Sequence, residues 1–253
     1  MNSEPLFKIE SLSKSYSGKD VLRDLSFEVR RGECFVILGR SGSGKSVALR
    51  QLNVLERPDS GRVLFDGIEI SSLAESELAA VRKRIAMLFQ GAALFDSMTV
   101  FENVAFPIRE HRTLEAAELE RQIKRHLALV GLFDVEDKLP SALSGGMKKR
   151  VALARSIALD PEAVLFDEPT TGLDPRTSAT IAHLIEQTRS QLGVTSVVVT
   201  HDLTLARRVG DRLAFLDGGS FRFIGTWADA DQSTDSELQK FLAGEQEEVD
   251  HVQ

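Results

Sequence analysis

Short apolar runs recur along the chain, and longer stretches with a helical pattern separate several of them. The runs occupy residues 34–38, 85–89, 163–166, 197–199 and 213–216. They are rich in Val, Ile, Leu and Phe and alternate little with polar residues, which is typical of strands buried on both faces. Helix-like stretches occupy residues 45–54, 114–130, 148–158 and 176–192. This alternation predicts an α/β layered core with a largely parallel sheet.

Three parts of the chain depart from this alternation. Residues 6–10 and 25–30 flank a turn-rich link at 16–20, and we predict that they form an antiparallel β part joined to the core. Residues from about 90 to 158 are mostly helix-like, which indicates a helical subdomain inserted into the core. We predict one domain over residues 1–243, ending in a short helix at 235–243, and an acidic, flexible tail at 244–253.

Composition narrows the class of protein. The chain has 253 residues, 42% of them hydrophobic and 27% charged, as in an ordinary globular protein. Its net charge of −7 argues against nucleic acid as a partner held by a broad basic face. The single cysteine, Cys34, lies in an apolar run, so we expect a buried thiol and a reducing compartment. We see no signal peptide and no apolar stretch near the roughly 18 residues that span a bilayer.

Residues 39–46 read GRSGSGKS and fit the pattern G-x-x-x-x-G-K-[ST] between an apolar strand and a helix. Glycines let the backbone wrap around phosphates, and the helix N-terminus attracts the same anion. We expect Lys45 to reach the β- and γ-phosphates and Ser46 to bind Mg²⁺. The alternative, a merely flexible Gly/Ser loop, does not explain the flanking elements. The predicted ATP-binding residues are Gly39, Arg40, Ser41, Gly42, Ser43, Gly44, Lys45, Ser46 and Val47.

An apolar strand that begins at Val164 ends in two carboxylates. We expect Asp167 to hold Mg²⁺, directly or through water. Glu168, the next residue, points differently and suits the polarisation of a water for attack on the γ-phosphate. A solvated acidic turn after a strand is the alternative, and the phosphate loop upstream makes it less favoured.

Residues 143–147, LSGGM, precede a basic helix that starts with Lys148, Lys149 and Arg150. A backbone-rich helix N-terminus suits a phosphate, although the local pattern alone is better explained as a helix cap at Ser144. One ATP does not need two such cradles in one chain. We therefore predict that this segment contacts the ATP held by a partner subunit.

The set GRSGSGKS, LSGGM, VLFDEP and TGLD, followed by His201 in VVVTHD, resembles the ATPase subunits of ABC transporters from Tyr16 to about Gly225. The resemblance implies a P-loop NTPase fold, the ABC ATPase cassette: α/β, with an antiparallel β subdomain, a mostly parallel core sheet and an inserted helical subdomain. It implies ATP and Mg²⁺ as cofactors and a head-to-tail homodimer. Each ATP would then lie between one phosphate loop and the partner's copy of the signature residues, namely Ser144, Gly145, Gly146 and Met147.

The same resemblance assigns roles to four further residues. Tyr16 would stack on adenine, and Gln90 would contact Mg²⁺ and the attacking water. Asp174 would cross the dimer interface, and His201 would contact the γ-phosphate as a switch histidine. Without the resemblance, Tyr16 is better explained as a strand tyrosine and His201 as a surface histidine. The catalytic set is thus predicted to be Glu168, His201 and Gln90, and the metal set Ser46, Gln90 and Asp167.

The signature departs from the family's usual pattern at its last position, where Met147 stands in place of a glutamine. Methionine cannot make the hydrogen bonds of an amide side chain. We nevertheless expect activity to survive, because Ser144 and backbone N–H groups carry most of the phosphate contact. No catalytic position is visibly lost, which argues against a regulatory module that binds ATP without turnover.

Residues 87–111, together with the signature and the basic residues after it, resemble the ATPases of MCE/Mla-type lipid transport systems. That resemblance implies an integral permease, an MCE-domain lipid-binding protein and sometimes a STAS-domain protein as partners. It implies a peripheral position at the cytoplasmic face of the inner membrane. Two alternatives stay open: an importer of a polar solute such as an amino acid, and an ABC ATPase that acts on DNA or ribosomes.

The segment after Gln90 is the predicted contact surface for a helix of the permease. We expect its apolar residues to line a groove, although each could instead pack inside the helical subdomain. The candidates are Phe95, Met98, Val100, Phe101 and Phe106.

Overall fold

The computed structural model describes residues 4–244. The strands are β1 Pro5–Tyr16, β2 Lys19–Arg30, β3 Cys34–Leu38, β4 Ser60–Phe65, β5 Ile68–Glu69, β6 Ile85–Leu88, β7 Ala163–Asp167, β8 Thr195–Thr200, β9 Arg212–Asp217 and β10 Ser220–Thr226. The helices are α1 Lys45–Gln51, α2 Glu75–Arg84, α3 Val100–His111, α4 Ala116–Leu129, α5 Gly145–Ser156, α6 Pro175–Leu192, α7 Leu203–Val209, α8 Trp227–Asp231 and α9 Ser236–Leu242. The predicted acidic tail lies outside the described residues except for Gly244.

The larger sheet has the strand order β10-β9-β3-β8-β7-β6. Its five strands from β9 to β6 run parallel, and β10 pairs antiparallel with β9 at one edge. Every residue of β3, β7 and β8 is buried, which explains why these strands read as unbroken apolar runs. The prediction of an α/β core with a mostly parallel sheet is confirmed.

The smaller sheet is antiparallel and has the order β2-β1-β4-β5. The sequence indicated only the apolar cores of β1 and β2, whereas each strand is 12 residues long, and β4 and β5 were missed. Strand β4 begins with polar residues and with Gly61, at φ 81°. A Cβ on Gly61 would lie 2.3 Å from the carbonyl oxygen of Ser11, so only glycine fits this crossing of the two strands.

Helices α3, α4 and α5 pack on one another in the predicted helical region. Thr99 begins α3 through a capping box, in which its hydroxyl accepts from the Glu102 N–H and its own N–H donates to the Glu102 carboxylate. The buried Asn103 side chain donates to the carbonyls of Phe95, Met98 and Thr99. These bonds hold the loop before α3 against the helix.

Cys34 is fully buried in β3, and burial raises the pKa of its thiol to about 12. The expectation of a buried thiol is therefore confirmed. At the other end of the chain, α9 packs Phe241 on Phe215 with ring centroids 5.1 Å apart and buries Leu238. Within residues 4–244, the structure contains no helix of the length and apolarity that a membrane crossing requires.

The buried His126 of α4 should make the stability of the chain depend on pH. Its imidazole lies within hydrogen-bond distance of the Gln122 carbonyl, at 2.7 Å, and burial lowers the pKa of His126 below its ordinary value of 6.5. The unfolded chain therefore binds more protons at His126 than the folded chain does. The stability that the neutral, buried imidazole contributes is complete above about pH 6.5 and is lost as the pH falls below it. We expect a lower free energy of unfolding at pH 5.5 than at pH 7.5.

Urea denaturation at both pH values measures this difference. The variant His126→Gln should reduce the change in the free energy of unfolding between the two pH values. The variant His183→Gln, which alters an exposed histidine of α6, should not. Equal slopes for the wild-type chain and His126→Gln would show that the pH dependence comes from other groups.

Candidate nucleotide-binding and catalytic site

The phosphate loop joins β3 to α1, and its shape requires glycine at two positions. A Cβ on Gly39 would lie 2.4 Å from the carbonyl oxygen of Leu216 and 2.6 Å from the hydroxyl of Ser43. Gly44 precedes α1 with φ 101°, which residues with a Cβ rarely adopt. The loop therefore presents backbone rather than side chains at the N-terminus of α1, the arrangement that attracts anions.

Lys45, the first residue of α1, is only 5% exposed and points into the loop. Its ammonium donates to the carbonyls of Gly39, at 2.8 Å, and Arg40, at 3.0 Å. It also lies 3.2 Å from a carboxylate oxygen of Glu168. Arg40 contacts Glu237 of α9 at 3.5 Å, so the last helix touches the outer side of the loop. The loop thus has one buried cation at its centre.

Asp167 ends β7 beside the phosphate loop, and its carboxylate accepts from the Ser46 hydroxyl at 2.7 Å. Mg²⁺ prefers oxygen ligands and commonly takes one or two from protein and others from phosphates and water. The two oxygens of Ser46 and Asp167 fit this chemistry. The described part of the chain holds no group of three or more His, Cys, Asp or Glu side chains arranged for a metal.

Glu168, 8% exposed, has an unusual backbone conformation for a residue with a Cβ, at φ 45°. Its N–H donates to the Val199 carbonyl at 3.0 Å, which continues the pairing of β7 with β8. One carboxylate oxygen lies 2.9 Å from Nδ1 of His201 and accepts from the hydroxyls of Thr171, at 3.3 Å, and Thr200, at 3.4 Å. With Lys45 on its other oxygen, the carboxylate is held from four sides.

Sequence reasoning predicted Lys45 and His201 at this site but missed the two threonine hydroxyls that also support the carboxylate. Thr200 is fully buried, and its hydroxyl also accepts from the Asp202 N–H at 3.0 Å. Asp202 caps α7 through the N–H groups of Thr204 and Leu205, and it accepts from the Thr170 hydroxyl at 3.0 Å. A Thr-His-Asp order directly after an apolar strand was the available signal, since an Asp there is a good cap for the next helix.

Gln90 and Tyr16 lie apart from this cluster. The Gln90 side chain is exposed, and the backbone carbonyl of Gln90 accepts from the Lys149 ammonium. Tyr16 ends β1, is 41% exposed, and donates its hydroxyl to Glu56. Burial and this hydrogen bond raise the pKa of Tyr16 to about 12. Neither side chain makes a hydrogen bond to Ser46, Asp167 or Glu168 within residues 4–244, so their expected ligand contacts stay predictions.

The segment at residues 144–147 begins α5 as a capped helix. The Ser144 hydroxyl accepts from the Met147 N–H at 3.3 Å, which is the cap that the local pattern favoured. Asp174 caps α6 in a similar way, accepting from the N–H and hydroxyl of Thr177, and these bonds lower the pKa of Asp174. Ser144 and Asp174 are both exposed, which leaves both helix N-termini accessible from outside the chain.

Gly146 is a packing requirement as well as part of this segment. A Cβ there would lie 2.4 Å from the Thr177 methyl group on α6. We expect Gly146→Ala to destabilise the chain by about 1–3 kcal/mol through overpacking. For a chain of this size the melting temperature should fall by roughly 2–4 °C per kcal/mol.

The double variant Gly146→Ala/Thr177→Ser removes the clashing methyl group and keeps the hydroxyl that bonds Asp174. Calorimetry should therefore recover most of the lost melting temperature in the double variant. If the two substitutions instead acted additively, the clash with Thr177 would not be the cause.

A groove is present after Gln90, but only two of the five candidate residues, Phe95 and Phe106, line it. Leu55, Phe89, Phe95 and Phe106 are exposed at a cavity of about 460 Å³, and the rings of Phe95 and Phe106 lie 4.9 Å apart. The expectation that Val100 lines the groove is wrong, because Val100 begins α3 and is fully buried against the core. The same expectation is wrong for Phe101, which packs partly on that core, and for Met98, which is partly exposed but does not line this cavity.

Comparison with known proteins gives consistent relatives. A family model described as "ABC transporter" matches residues 22–171. Methionine import ATP-binding protein MetN 1 of Listeria innocua serovar 6a is 40% identical over 231 residues, 88% of this chain and 67% of that protein. Methionine import ATP-binding protein MetN of Carboxydothermus hydrogenoformans is 42% identical over 214 residues, 83% of this chain and 63% of that protein. The chain thus spans about two thirds of the length of these relatives.

Solved structures match the whole fold. A dimeric, post-hydrolysis state of an ATP-binding cassette bound to ADP and Pi has a TM-score of 0.81 and 32% identity, covering 87% of this chain and 98% of that one. The cbiO1 protein of Clostridium perfringens, part of the ABC transporter complex cbiONQ, has a TM-score of 0.83 and 29% identity, covering 94% and 95%.

Proposed function

The chain belongs to the ABC transporter family as an ATP-hydrolysing cassette, and we propose that it powers an importer of a small polar solute of the amino-acid type. The single observation that carries the choice of solute is the similarity to methionine import ATPases over 88% of the chain. The ATPase assignment rests on the wider family match and on the phosphate loop with its adjacent carboxylates.

Each side chain of the cluster has a proposed role in hydrolysis. Lys45 binds the β- and γ-phosphates, and Ser46 and Asp167 would hold Mg²⁺ through oxygen. When bound, Mg²⁺ would neutralise charge on the phosphate oxygens. Glu168 accepts a hydrogen bond from the attacking water and orients it, and His201 lies on the carboxylate's other side near the γ-phosphate. Gln90 would supply a further oxygen ligand to Mg²⁺.

We propose that two copies of the chain form the working unit. The exposed N-termini of α5 and α6 support this, because neither helix start is needed by the chain's own phosphate loop. Ser144, Gly145, Gly146 and Met147 would contact the γ-phosphate bound to the other copy, and Asp174 would lie across the interface. Tyr16, at the exposed end of β1, would stack on adenine.

The groove around Phe95 and Phe106 is the proposed site for a cytoplasmic helix of an integral permease. At this groove, aromatic side chains are exposed beside cations such as Arg82, Lys83 and Arg155. The chain would then sit peripherally at the cytoplasmic face of the inner membrane, held there by the permease.

Lipid transport is the second candidate, and it rests on two features of the sequence. Met147 replaces the usual glutamine of the signature, and residues 87–111 resemble MCE/Mla-type ATPases. The MetN relatives give lipid transport no support, since they are methionine import ATP-binding proteins. MCE-domain and STAS-domain partners lack support for the same reason.

The deciding experiment is purification of the tagged chain from its native membrane, followed by mass spectrometry of the proteins recovered with it. An amino-acid-type permease, with ATPase activity stimulated by methionine and its binding protein, is the expected result. Recovery of a permease with an MCE-domain protein would transfer the assignment to lipids. As a matched control, bait carrying Phe95→Ala and Phe106→Ala should recover much less of either permease.

A further inference from the structure

Two cations of α5 hold the backbone of the loop that follows Gln90. The Lys149 ammonium donates to the Gln90 carbonyl. Six residues along the helix, the Arg155 guanidinium donates to the Ala92 carbonyl at 3.1 Å. These contacts were not predicted from the sequence, where both residues look like ordinary helix-surface cations.

Both cations lose part of their hydration in these positions, which is unfavourable for a charged group. Lys149 is only 5% exposed, and burial lowers its pKa against the opposing attraction of Asp167 and Glu168. Burial also lowers the pKa of Arg155. Buried cations are tolerated where hydrogen bonds compensate for lost hydration, and here the loop carbonyls are the acceptors. The loop and the helix therefore depend on each other electrostatically.

The held loop is in a conformation that needs support. Ala92 has φ 63° and Ala93 has φ 49°, so two consecutive residues with a Cβ adopt the left-handed region. Such residues cost free energy and persist where surrounding contacts fix them. The bonds from Lys149 and Arg155 act on this stretch, one before it and one within it.

Lys149 and Arg155 lie on the helix that connects the groove to the signature residues. Arg155 lies 5.6 Å from the ring of Phe95, which in turn contacts Phe106 at the exposed groove. Helix α5 runs from Gly145 to Ser156 and carries Ser144 at its start. Lys149 and Arg155 are about 9 Å apart along that helix at 1.5 Å per residue. A rigid helix thus joins the groove to the signature residues.

We propose that Lys149 and Arg155 are positioning residues that clamp the Gln90–Phe95 loop to α5. A displacement of Phe95 at the groove moves α5 and the signature residues at its start, rather than only deforming the loop. The proposal deepens the proposed function and rests on it in one respect, since the permease is the partner that displaces Phe95.

The first test asks whether the clamp holds the loop, and it uses the isolated full-length chain. Amide hydrogen exchange is followed at Ala92, whose N–H donates to Phe89 at 3.0 Å, and at Phe95, whose N–H donates to Asn103 at 2.9 Å. Loss of a charged hydrogen bond in Arg155→Met or Lys149→Met should speed exchange there about tenfold or more. The variant Arg155→Lys, which keeps a cation and a donor, should recover part of the protection.

The matched control is Arg112→Met, because Arg112 also donates to a backbone carbonyl, that of Leu159 at 3.2 Å, which lies just after α5 and not within the Gln90–Phe95 loop. It should leave exchange at Ala92 and Phe95 unchanged. Exchange in Arg155→Met and Lys149→Met that stays within about twofold of the wild-type chain would overturn the clamp, whatever the transporter carries.

The second test asks whether the clamp couples binding of the permease to the ATPase rate. It uses the complex recovered with the permease. The ratio of the ATPase rate in the complex to that of the isolated chain should fall at least about fivefold in Arg155→Met. The KM for ATP should stay within about twofold, which separates lost coupling from lost folding. An unchanged ratio together with faster exchange would overturn transmission, whereas failure of the wild-type chain to respond to any permease would count against the proposed function alone.

Discussion

Replacing Glu168 with Gln should reduce ATP turnover by about 10²–10⁴-fold, the usual contribution of a positioned general base. The amide keeps the size of the side chain and can still accept from His201, Thr171 and Thr200, so the fold around it should survive. What it loses is the negative charge, which polarises a water and also pairs with Lys45. Nucleotide binding should therefore persist, and the ATP-bound dimer should accumulate. Steady-state ATPase assays and size-exclusion chromatography with ATP measure both effects.

Glu162→Gln is the matched control for this experiment. Glu162 precedes the other end of the same strand, β7, and forms ion pairs with Arg31 and Arg84 at the surface. Its loss should leave turnover within about twofold of wild type, as for a surface pair of small net energy. Normal turnover in Glu168→Gln would remove Glu168 from the proposed catalytic role and leave the water-activating group unassigned.

Replacing Lys45 with Ala should weaken nucleotide binding itself. A hydrogen bond to a charged group contributes about 1.5–3 kcal/mol, which corresponds to roughly a ten- to 150-fold rise in Kd. The structure adds a second effect, since the variant leaves the buried Glu168 carboxylate without its cation at 3.2 Å. We therefore expect a lower melting temperature without nucleotide as well. Fluorescent-nucleotide titration and calorimetry separate the two effects.

Lys148→Ala serves as the comparison, since it removes a lysine from a helix N-terminus, that of α5, outside the phosphate loop. It should change neither Kd nor the nucleotide-induced rise in melting temperature. An unaltered Kd in Lys45→Ala, with only the melting temperature lowered, would mean that Lys45 supports the loop and does not bind phosphate.

The sequence predicted well those elements whose residues all share one environment, because the local pattern of apolar residues then identifies the element. Strand β3 was predicted with its observed limits because all five residues are apolar and both faces of the sheet are covered. Strand β4 was missed because its first residues are polar and its place depends on pairing with β1, which is distant in the chain. Val100 was misplaced because an apolar residue at a helix start can face either the core or a groove.

Local sequence motifs also do not identify the transported solute. Core motifs that handle ATP are shared by the family, so they carry little information about what a permease moves. The resemblance of residues 87–111 favoured lipids, whereas relatives over most of the chain are methionine import proteins. The residues that contact a solute are expected in other chains, which is why the recovered permease decides the question.

By itself, the sequence determined the phosphate loop, because its glycines, Lys45 and Ser46 are contiguous and act through backbone geometry. Only the tertiary structure decided how the Glu168 carboxylate is held. Its four supporting side chains come from three segments, and the parallel order of β3, β8 and β7 brings their carboxyl ends together. It also decided that Lys149 and Arg155 hold the loop after Gln90. Strand order and helix packing set these distances, and neither is written in any single stretch of residues.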